Sequence, residues 1–514
     1  MRKLFLRLSI GLTVLIALVA LVRPGVLWAY AVVLPLVLLG LVDMRQERHT
    51  VLRNFPVLGH LRYFFELISP ELQQYFIERS TDGRPFSRQH RNLAYRRAKN
   101  VSDTTPFGTL LDLNAEGYEG LRHSIYPAPV QEAPPRVRIG GARCTQPYEA
   151  SLLNISAMSF GALSANAVLA LNAGARKGGF YHNTGEGGIS EYHLRHGGDL
   201  VWQIGTGYFG CRTEDGRFDP ERFREKAVLP QVRMVELKLS QGAKPGHGGV
   251  LPASKNTPEI ARIRHLRPHT TVLSPPGHAA FSDAAGLLRF VDELRTLSGG
   301  KPTGFKLCIG RTEEFIAICE AMAAGAPLPD FITVDGAEGG TGAAPLEFND
   351  SVGLPIGPAL IFVHTTLQRF RLRDRIRVIA SGKVLTASSV LKMLANGADL
   401  CNSARGFMFA LGCIQALRCN TNTCPTGVAT QDRSLARGLV VTDKAERVYH
   451  FHRNTLHAVM ELMAACGVHR IEDVSMDMFI RGDEFIRQAN AYYPDSLHHD
   501  GRGRSFRAVS PDDR

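Results

Sequence analysis

The sequence contains no CxxC pair, and its nine cysteines are scattered along 514 residues. A disulfide-stapled domain needs an even set of closely spaced cysteines, so that class is excluded. Structural zinc sites usually need paired cysteines as well. The chain also lacks a zinc-finger, RRM or KH signature, so its net charge of +12 does not indicate a nucleic-acid partner. Anionic lipid and anionic small molecules remain as the partners that this charge would suit.

Three cysteines nevertheless lie close together in the segment GCIQALRCNTNTCPTGVATQ, residues 412–431. Cys413, Cys419 and Cys424 have the spacing C-x5-C-x4-C, and Pro425 follows the last of them. A Cys-Pro step at the end of a cysteine run is typical of iron–sulfur ligation, and three thiolates match a cluster of three irons. Buried or catalytic cysteines, or a Cys3His zinc site completed by a distant histidine, are the alternatives. The spacing alone leaves them open.

Two long apolar runs occupy the N-terminus. Residues 4–22 contain one charge, Arg7, and residues 26–42 contain none. Each run is about long enough to cross a hydrocarbon core, so the pair predicts a transmembrane hairpin over residues 1–45. Basic residues flank both outer ends, whereas the turn has only Arg23, which predicts an inner-membrane protein with its main body in the cytoplasm. The alternative is a signal peptide followed by an apolar segment.

The segment after the hairpin has an apolar part and a basic part. Residues 51–68 are rich in aromatic and aliphatic side chains and are candidates for the membrane interface. Residues 84–100 are strongly basic, which suits either contact with anionic headgroups or a solvated charged face.

From about residue 150 onward, short apolar runs alternate with helical segments, as in a parallel α/β sheet. Eight such units over about 260 residues fit a (β/α)8 TIM barrel. An open doubly wound sheet would have a GxGxxG turn after its first strand, and SFGALSAN is not one. Strands are predicted at residues 151–160, 179–188, 233–240, 270–277, 303–310, 330–340, 377–384 and 398–406. Helices are predicted at residues 163–178, 284–297, 311–325 and 386–397.

The sequence therefore predicts five segments: a transmembrane hairpin (1–45), a helical and basic juxtamembrane segment (46–105), the barrel with its cysteine loop (106–435), a C-terminal helical extension (436–496) and a polar tail (497–514).

Candidate functional residues fall where predicted strands end, which is where barrel enzymes place their chemistry. Glu186 follows the second predicted strand, Lys238 ends the third and Lys306 lies on the fifth.

A phosphate site is predicted after the last two strands, where barrels commonly place one. Gly382, Lys383 and Arg405 would supply backbone amides and cations, and the glycine-rich turn 336–345 would let more backbone approach the ligand. Together with the cysteine cluster, this site indicates a flavin that exchanges electrons with an iron–sulfur centre. A lysine on a central strand, such as Lys306, could then stabilise the reduced, anionic flavin.

Several long strings resemble the FMN-binding synthase domain of glutamate synthase, over roughly residues 100–435. They are NTGEGG (183–188), KLSQGAKPGHGGVLP (238–252), SPPGH (274–278), VDGAEGGTGAAP (334–345), SGKVLT (381–386) and the cysteine segment. The resemblance implies a (β/α)8 barrel that holds FMN and a [3Fe–4S] cluster. It also implies that Cys413, Cys419 and Cys424 are the cluster ligands.

The same resemblance implies reductive amination of 2-oxoglutarate by ammonia, which gives L-glutamate. Glu186 and Lys238 are implied at the reaction centre, and Gln241, Lys244 and Arg264 as ligands of the substrate carboxylates. The residues implied to contact FMN are Ser156, Ser159, Lys306, Gly339, Gly340, Thr341, Gly382, Lys383 and Arg405.

The sequence also departs from the large family enzymes. No amidotransferase or dinucleotide-binding segment is recognised, and His247 stands where the family usually has Glu in KPGEGG. Ammonia and electrons are therefore expected from partners, the electrons from a ferredoxin-like protein, a reductase subunit or a quinone-linked protein. The competing hypotheses are an oxidoreductase that acts on another 2-oxo acid, an amine or a membrane electron carrier, and a non-catalytic barrel scaffold.

Overall fold

The two apolar N-terminal runs are helical in the computed structural model of the chain, which describes residues 1–115 and 117–481. Segments Arg2–Ala20 and Pro24–Arg45 are long and apolar enough to cross a membrane. Only 11% of the first apolar window and 6% of the second are buried, whereas a core helix of a soluble protein would be mostly buried. The two segments are therefore not core helices of their unit.

These helices belong to the first of two compact units, Met1–Arg88. The Tyr30 hydroxyl donates a hydrogen bond to the carbonyl of Thr13 (2.7 Å) and so joins the two apolar helices. The helices and helical turns of this unit are Arg2–Ala20, Pro24–Ala29 (3-10), Tyr30–Arg45, Thr50–Asn54, Gly59–Leu72 and Gln73–Ile77 (a π turn).

The second unit, Gln89–Arg514, contains a closed barrel of eight parallel strands, which confirms the predicted TIM-barrel class. The strands are β1 (Leu153–Ile155), β2 (His182–Asn183), β3 (Leu200–Ile204), β4 (Val232–Lys238), β5 (Thr303–Leu307), β6 (Phe331–Asp335), β7 (Arg377–Ser381) and β8 (Leu400–Ser403). The outer helices are α1 (Ala165–Gly178), α2 (Glu191–Leu194), α3 (Pro220–Ala227), α4 (Ala284–Leu297), α5 (Thr312–Ala323), α6 (Ile356–Arg369), α7 (Ala387–Ala395) and α8 (Arg405–Leu411).

Smaller elements surround the barrel. The short antiparallel pairs are Glu119–Leu121 with Phe479–Arg481, Val137–Ile139 with Tyr148–Ala150, and Val250–Leu251 with Val272–Leu273. The further helical segments are Arg88–Lys99, Ala253–Lys255, Pro258–Arg264, Leu346–Ser351, Arg433–Ala436, Val441–Ala465, Ile471–Asp473 and Met476–Met478. Helix Val441–Ala465 packs against α1, α7 and α8. The predicted tail 497–514, and the part of the predicted extension 436–496 beyond residue 481, lie outside the described residues, and the five predicted segments remain predictions.

One of the eight strand predictions is wrong and one barrel strand was not predicted, so the count of eight still holds. Residues 270–277 are not a barrel strand; Val272–Leu273 pairs antiparallel with Val250–Leu251 in an insertion between β4 and α4. The missing strand is β3, a short and fully buried run whose sequence is LVWQI. Lys238 therefore ends the fourth barrel strand rather than the third, and the loop that carries Lys244 follows β4.

The amino-terminal end of the barrel is closed by apolar packing. The hairpin of Val137–Ile139 and Tyr148–Ala150 lies across this end. Its buried side chains join residues from the beginnings of the strands in one core, which contains Ile139, Tyr148, Ala150, Tyr181, Val201, Met234, Phe331, Ile379 and Leu400. The polar residues identified from the sequence gather at the other, carboxyl end.

Candidate active site at the carboxyl end of the barrel

A buried ion pair joins two of the predicted catalytic residues. Lys238, the last residue of β4, donates from Nζ to Glu186 Oε1 at 3.0 Å. Glu186 lies in the loop after β2, and two glycines closely approach its carboxylate. A Cβ atom at Gly205 would lie 2.5 Å from Glu186 Oε2, and one at Gly249 would lie 2.5 Å from Glu186 Oε1. Glycine at both positions therefore makes room for the carboxylate.

Two further predicted residues contribute positive charge near this pair. Burial by itself raises the pKa of the Glu186 carboxyl, but Lys238, Arg264 and Lys244 together lower it below its ordinary value. Burial and the neighbouring Lys238 lower the pKa of Lys244 to about 8, and burial lowers that of Arg264 to about 10. One carboxylate is thus accompanied by three cations, an excess of positive charge that suits a dianionic ligand.

Arg264 is held at the end of helix Pro258–Arg264, inside the insertion that follows β4. Its guanidinium donates to the Phe160 carbonyl (3.0 Å) and to Ser159 Oγ (3.3 Å), and it lies over the ring of Phe209. Nε of Arg264 is buried without a partner within the described structure. An unsatisfied buried N–H of this kind is expected where a ligand accepts it.

Lys244 lies nearer the start of the same insertion and is fixed by a hydrogen bond to a different loop. Its Nζ donates to the carbonyl of Ala343 at 2.6 Å, in the glycine-rich loop after β6. Gln241 is half-buried and starts the turn, because its carbonyl accepts from the Lys244 amide (3.3 Å). The structure thus places Lys244 and Arg264 with the ion pair, whereas it gives Gln241 a main-chain role in the turn.

His278 and Tyr208 form a hydrogen-bonded pair that holds the main chain of Lys238, although the sequence indicated no role for them. Nε2 of His278 donates to the Lys238 carbonyl (2.9 Å), and the Tyr208 hydroxyl lies 3.1 Å from His278 Nδ1. The Tyr208 oxygen accepts from the Ala280 amide (3.2 Å). Burial lowers the pKa of His278 to about 4, so the ring is neutral and donates from Nε2 while it accepts at Nδ1. The SPPGH string was the available sequence signal for this residue.

A second ion pair lies beside the first, because Lys306 pairs in register with Lys238. Lys306 on β5 contacts Asp335 at the end of β6, with Nζ 3.2 Å from Oδ2. The same carboxylate oxygen accepts from the Gly242 amide (2.9 Å). Burial opposes protonation of Lys306, but Asp335 and Glu236 raise its pKa above the ordinary value. Lys306 is therefore a buried lysine whose charged form is favoured, on the strand next to β4.

The loops after β6, β7 and β8 meet in a cradle of backbone and cations. A Cβ at Gly382 would lie 3.3 Å from the Gly336 amide nitrogen, and one at Gly340 would lie 2.9 Å from Arg405 Nε. Arg405 donates to the Glu338 carbonyl at 2.7 Å. Lys383 follows Gly382 with a φ of 49°. Backbone amides beside Arg and Lys fit a phosphate group.

The remaining predicted cofactor contacts lie on neighbouring loops. Ser156 Oγ is 3.4 Å from Ser381 Oγ at the end of β7. Thr341 Oγ1 is 3.4 Å from the Ala343 carbonyl, in the loop that also contains Gly339. The structure thus collects the predicted FMN contacts at the carboxyl end of the barrel.

The cysteine loop, residues 412–431, follows α8. Among the described residues, no three His, Cys, Asp or Glu side chains converge on a point that would hold a single metal ion. The three thiols are nevertheless close enough to affect one another. Burial, and then Cys419 and Cys424, raise the pKa of the Cys413 thiol to about 12. Three cysteine thiols in one loop are the donor type that iron–sulfur clusters take.

Amides and hydroxyls already point at the sulfurs. The Gln415 amide donates to Cys413 Sγ (3.4 Å), and Cys424 Sγ lies 3.5 Å from Thr426 Oγ1. Burial raises the pKa of Cys424, but this hydroxyl and nearby amides lower it below its ordinary value overall. Such hydrogen bonds stabilise thiolates and tune cluster potentials.

Lys255 was not predicted as a functional residue, because the residues around it form no recognisable motif. It is buried, and its Nζ donates to the carbonyls of Ala162 (3.2 Å), Cys419 (2.7 Å) and Ala429 (2.9 Å). One side chain of the insertion thus joins the loop after β1 to two points of the cysteine loop.

Comparison with known proteins identifies the family of the chain. The family model described as the conserved region in glutamate synthase matches residues 137–469. The glutamate synthase large subunit-like protein YerD of Bacillus subtilis is 38% identical, over 89% of this chain and 94% of that protein. An archaeal glutamate synthase [NADPH] of Methanocaldococcus jannaschii is 35% identical over 62% of this chain. The glutamate synthase [NADPH] large chain of Azospirillum brasilense is 32% identical over the same share.

The coverage of these relatives differs. The matched region amounts to 60% of the Methanocaldococcus jannaschii protein and 20% of the Azospirillum brasilense protein. The family model nevertheless covers more than half of this chain, and the Bacillus subtilis relative matches nearly end to end. The chain therefore belongs to the glutamate synthase family.

Proposed function

We propose that the chain makes L-glutamate by reductive amination of 2-oxoglutarate. The observation that carries the proposal is the group of three cations, Lys238, Lys244 and Arg264, around Glu186 at the barrel mouth. A dianionic 2-oxo acid needs cations for its carboxylates and a polarised carbonyl at C2. Ammonia adds to C2 with loss of water to give 2-iminoglutarate, and FMN, when bound, supplies the hydride that reduces C2 with electrons received through the cluster.

The residues of the chain have separate tasks in this reaction. Lys244 and Arg264 hold the two carboxylates, and Lys238 polarises the C2 carbonyl. Glu186 accepts a proton from the attacking ammonia and returns it to the departing water oxygen, as a general base and then acid. The excess positive charge also favours the ionised form of the Glu186 carboxyl, which is the form that a general base requires.

The cofactors have matching sites in this proposal. Lys383, Arg405 and the glycine-rich loops hold the FMN phosphate, and Lys306 lies near the flavin ring. Cys413, Cys419 and Cys424 bind a [3Fe–4S] cluster. Ammonia and electrons come from partners, the electrons from a ferredoxin-like protein, a reductase subunit or a quinone-linked protein. The apolar hairpin anchors the chain in the inner membrane with the barrel in the cytoplasm.

An anaerobic reaction of the purified full chain tests the proposal. The protein is reduced chemically and mixed with 2-oxoglutarate and ammonium, and both flavin reoxidation and glutamate are measured. We expect reoxidation that depends on both compounds and one glutamate per flavin reoxidised. No flavin absorbance at all would point to a non-catalytic scaffold.

The exposed apolar helices Arg2–Ala20 and Pro24–Arg45 favour a second candidate, a membrane-linked oxidoreductase of another substrate. That substrate would be another 2-oxo acid, an amine or an electron carrier in the membrane. Reoxidation of the reduced flavin by such a compound, and none by 2-oxoglutarate with ammonium, would favour this candidate.

Arg405→Ala should weaken FMN retention. The variant removes a guanidinium from the phosphate cradle, where a charge-assisted hydrogen bond contributes about 1.5–3 kcal/mol. The Kd of FMN, measured by fluorescence titration of the refilled apoprotein, should rise on the order of 10- to 100-fold. Arg176→Ala is the control, because Arg176 is exposed in the last turn of α1. An unchanged Kd in Arg405→Ala would exclude Arg405 from the FMN site.

Lys244→Met should raise the KM for 2-oxoglutarate by about 10- to 100-fold, because it removes a cation while keeping much of the bulk. The pKa of Lys244 also predicts a pH effect in the wild-type protein. Because this pKa is about 8, the ammonium is charged below pH 8 and neutral above it, so the wild-type KM for 2-oxoglutarate should rise above pH 8. This rise should be absent in Lys244→Met. Lys177→Met, which removes an exposed lysine paired with Glu446, is the control. An unaltered KM would exclude Lys244 from substrate binding.

A further inference from the structure

Helix Gly59–Leu72, in the first unit, exposes an apolar side. Leu61, Phe64, Phe65, Ile68 and Leu72 recur at intervals of three and four residues, so they share one side of the helix. Leu61, Phe64, Phe65 and Leu72 are between 37% and 56% exposed. Glu71 interrupts this side only in the last turn. Exposed aromatic and aliphatic side chains in such a continuous stripe indicate an interaction surface.

Another side of the same helix carries exposed polar side chains. Arg62 Nε and Glu66 Oε1 form an exposed ion pair at 2.8 Å, one helical turn apart. Gln73 follows at the next position along this side. At 100° per residue, position 66 lies nearly opposite position 64. The helix is therefore amphipathic, with its apolar side uncovered by the described residues.

The start of this helix is tied to the end of the second apolar helix. Asp43, in the last turn of Tyr30–Arg45, is 2% exposed. Its carboxylate accepts from the Val57 amide at 2.9 Å and pairs with His60 Nε2 at 2.9 Å. A buried carboxylate with two such partners fixes the turn between the helices. The amphipathic helix thus begins where the second apolar helix ends.

We propose that helix Gly59–Leu72 lies in the interface of the bilayer, with the stripe of Leu61, Phe64, Phe65, Ile68 and Leu72 against the acyl chains. The inference rests on the membrane anchoring proposed above and adds a second, in-plane contact to it. Continuity with the apolar hairpin favours lipid over a second copy of the chain. The basic excess of residues 1–88, eleven Lys and Arg against six Asp and Glu, suits anionic headgroups.

Tryptophan quenching in the full chain tests this placement. Phe64→Trp puts a probe on the apolar stripe, and Glu66→Trp puts one on the polar side as the matched control. Each protein is reconstituted into vesicles of phosphatidylcholine and phosphatidylglycerol, with or without bromine on the phosphatidylcholine acyl chains. Emission is read as the difference from the parent protein, because Trp28 and Trp202 are native. Carbonate extraction of the same vesicles tests the hairpin separately.

We expect the Phe64→Trp probe to emit at shorter wavelength and to lose most of its intensity in brominated vesicles, while the Glu66→Trp probe keeps its intensity. If carbonate leaves the protein in the vesicles but the Phe64→Trp probe is unquenched, the interfacial placement is wrong and the anchoring stands. A blue-shifted but unquenched probe would show that protein covers the stripe, and equal quenching of both probes would also contradict the proposal. A protein that carbonate removes would overturn the anchoring and the interfacial helix together.

Discussion

Glu186→Gln should lower kcat by about 10²- to 10⁴-fold, the usual contribution of a general acid–base group. The amide has the same shape as the carboxyl and therefore fits between Gly205 and Gly249. It cannot accept the proton of the attacking ammonia, and it leaves Lys238 without its ion-pair partner. Steady-state and single-turnover rates with reduced enzyme, 2-oxoglutarate and ammonium measure the effect.

The matched control is Glu191→Gln, which neutralises an exposed carboxyl in the first turn of α2, five residues further along the chain. We expect this variant to keep the wild-type kcat. FMN content should be unchanged in both proteins, so a lower rate would not reflect cofactor loss. A Glu186→Gln enzyme with the wild-type kcat would remove Glu186 from the proton transfers.

Cys419→Ser should abolish the EPR signal of the oxidised cluster and lower the iron content. The substitution replaces one of three thiolates, and a hydroxyl is a poor ligand for this type of cluster. The loop itself should persist, because Lys255 binds the main-chain carbonyl of Cys419 rather than its sulfur. FMN should remain bound, since its proposed phosphate site is built from other loops.

Cys466→Ser provides the comparison for this variant. Cys466 follows helix Val441–Ala465, outside the cysteine loop. Its replacement by serine should therefore leave the iron content and the EPR signal at wild-type levels. Chemically reduced Cys419→Ser should still reoxidise with 2-oxoglutarate and ammonium, whereas delivery of electrons through the cluster should fail. Wild-type iron content in Cys419→Ser would overturn the three-cysteine assignment.

The barrel could be predicted from the sequence because most strands are apolar runs that end in glycine-rich turns, as Phe331–Asp335 does before GAEGG. Strand β3 was missed because only the four-residue helix α2 precedes it, so the usual spacing between units is lost. Residues 270–277 were mistaken for a barrel strand because an insertion between β4 and α4 has the length of a further unit. Local pattern alone does not separate a barrel strand from an insertion strand of similar composition.

The site was predictable to the extent that its residues stand at strand ends. Glu186 and Lys238 are 52 positions apart in the chain, yet parallel strands bring both to one rim. Lys255 and Tyr208 were not predictable, because their roles depend on partners from other loops rather than on their own sequence context. The pairing of Lys306 with Asp335 likewise requires the register of β5 against β6.

The closure of the barrel by β1 and β8 has a consequence for the order of folding. Leu153, Asn154 and Ile155 pair with Cys401, Asn402 and Ser403, so the first strand stays unpaired on one edge until the last has been synthesised. Contacts of such long sequence separation form late and slowly, and an open edge is prone to aggregate in the meantime. The barrel can therefore close only after β8 has been synthesised, so the pairing of β1 with β8 is expected to be a late step that completes the domain.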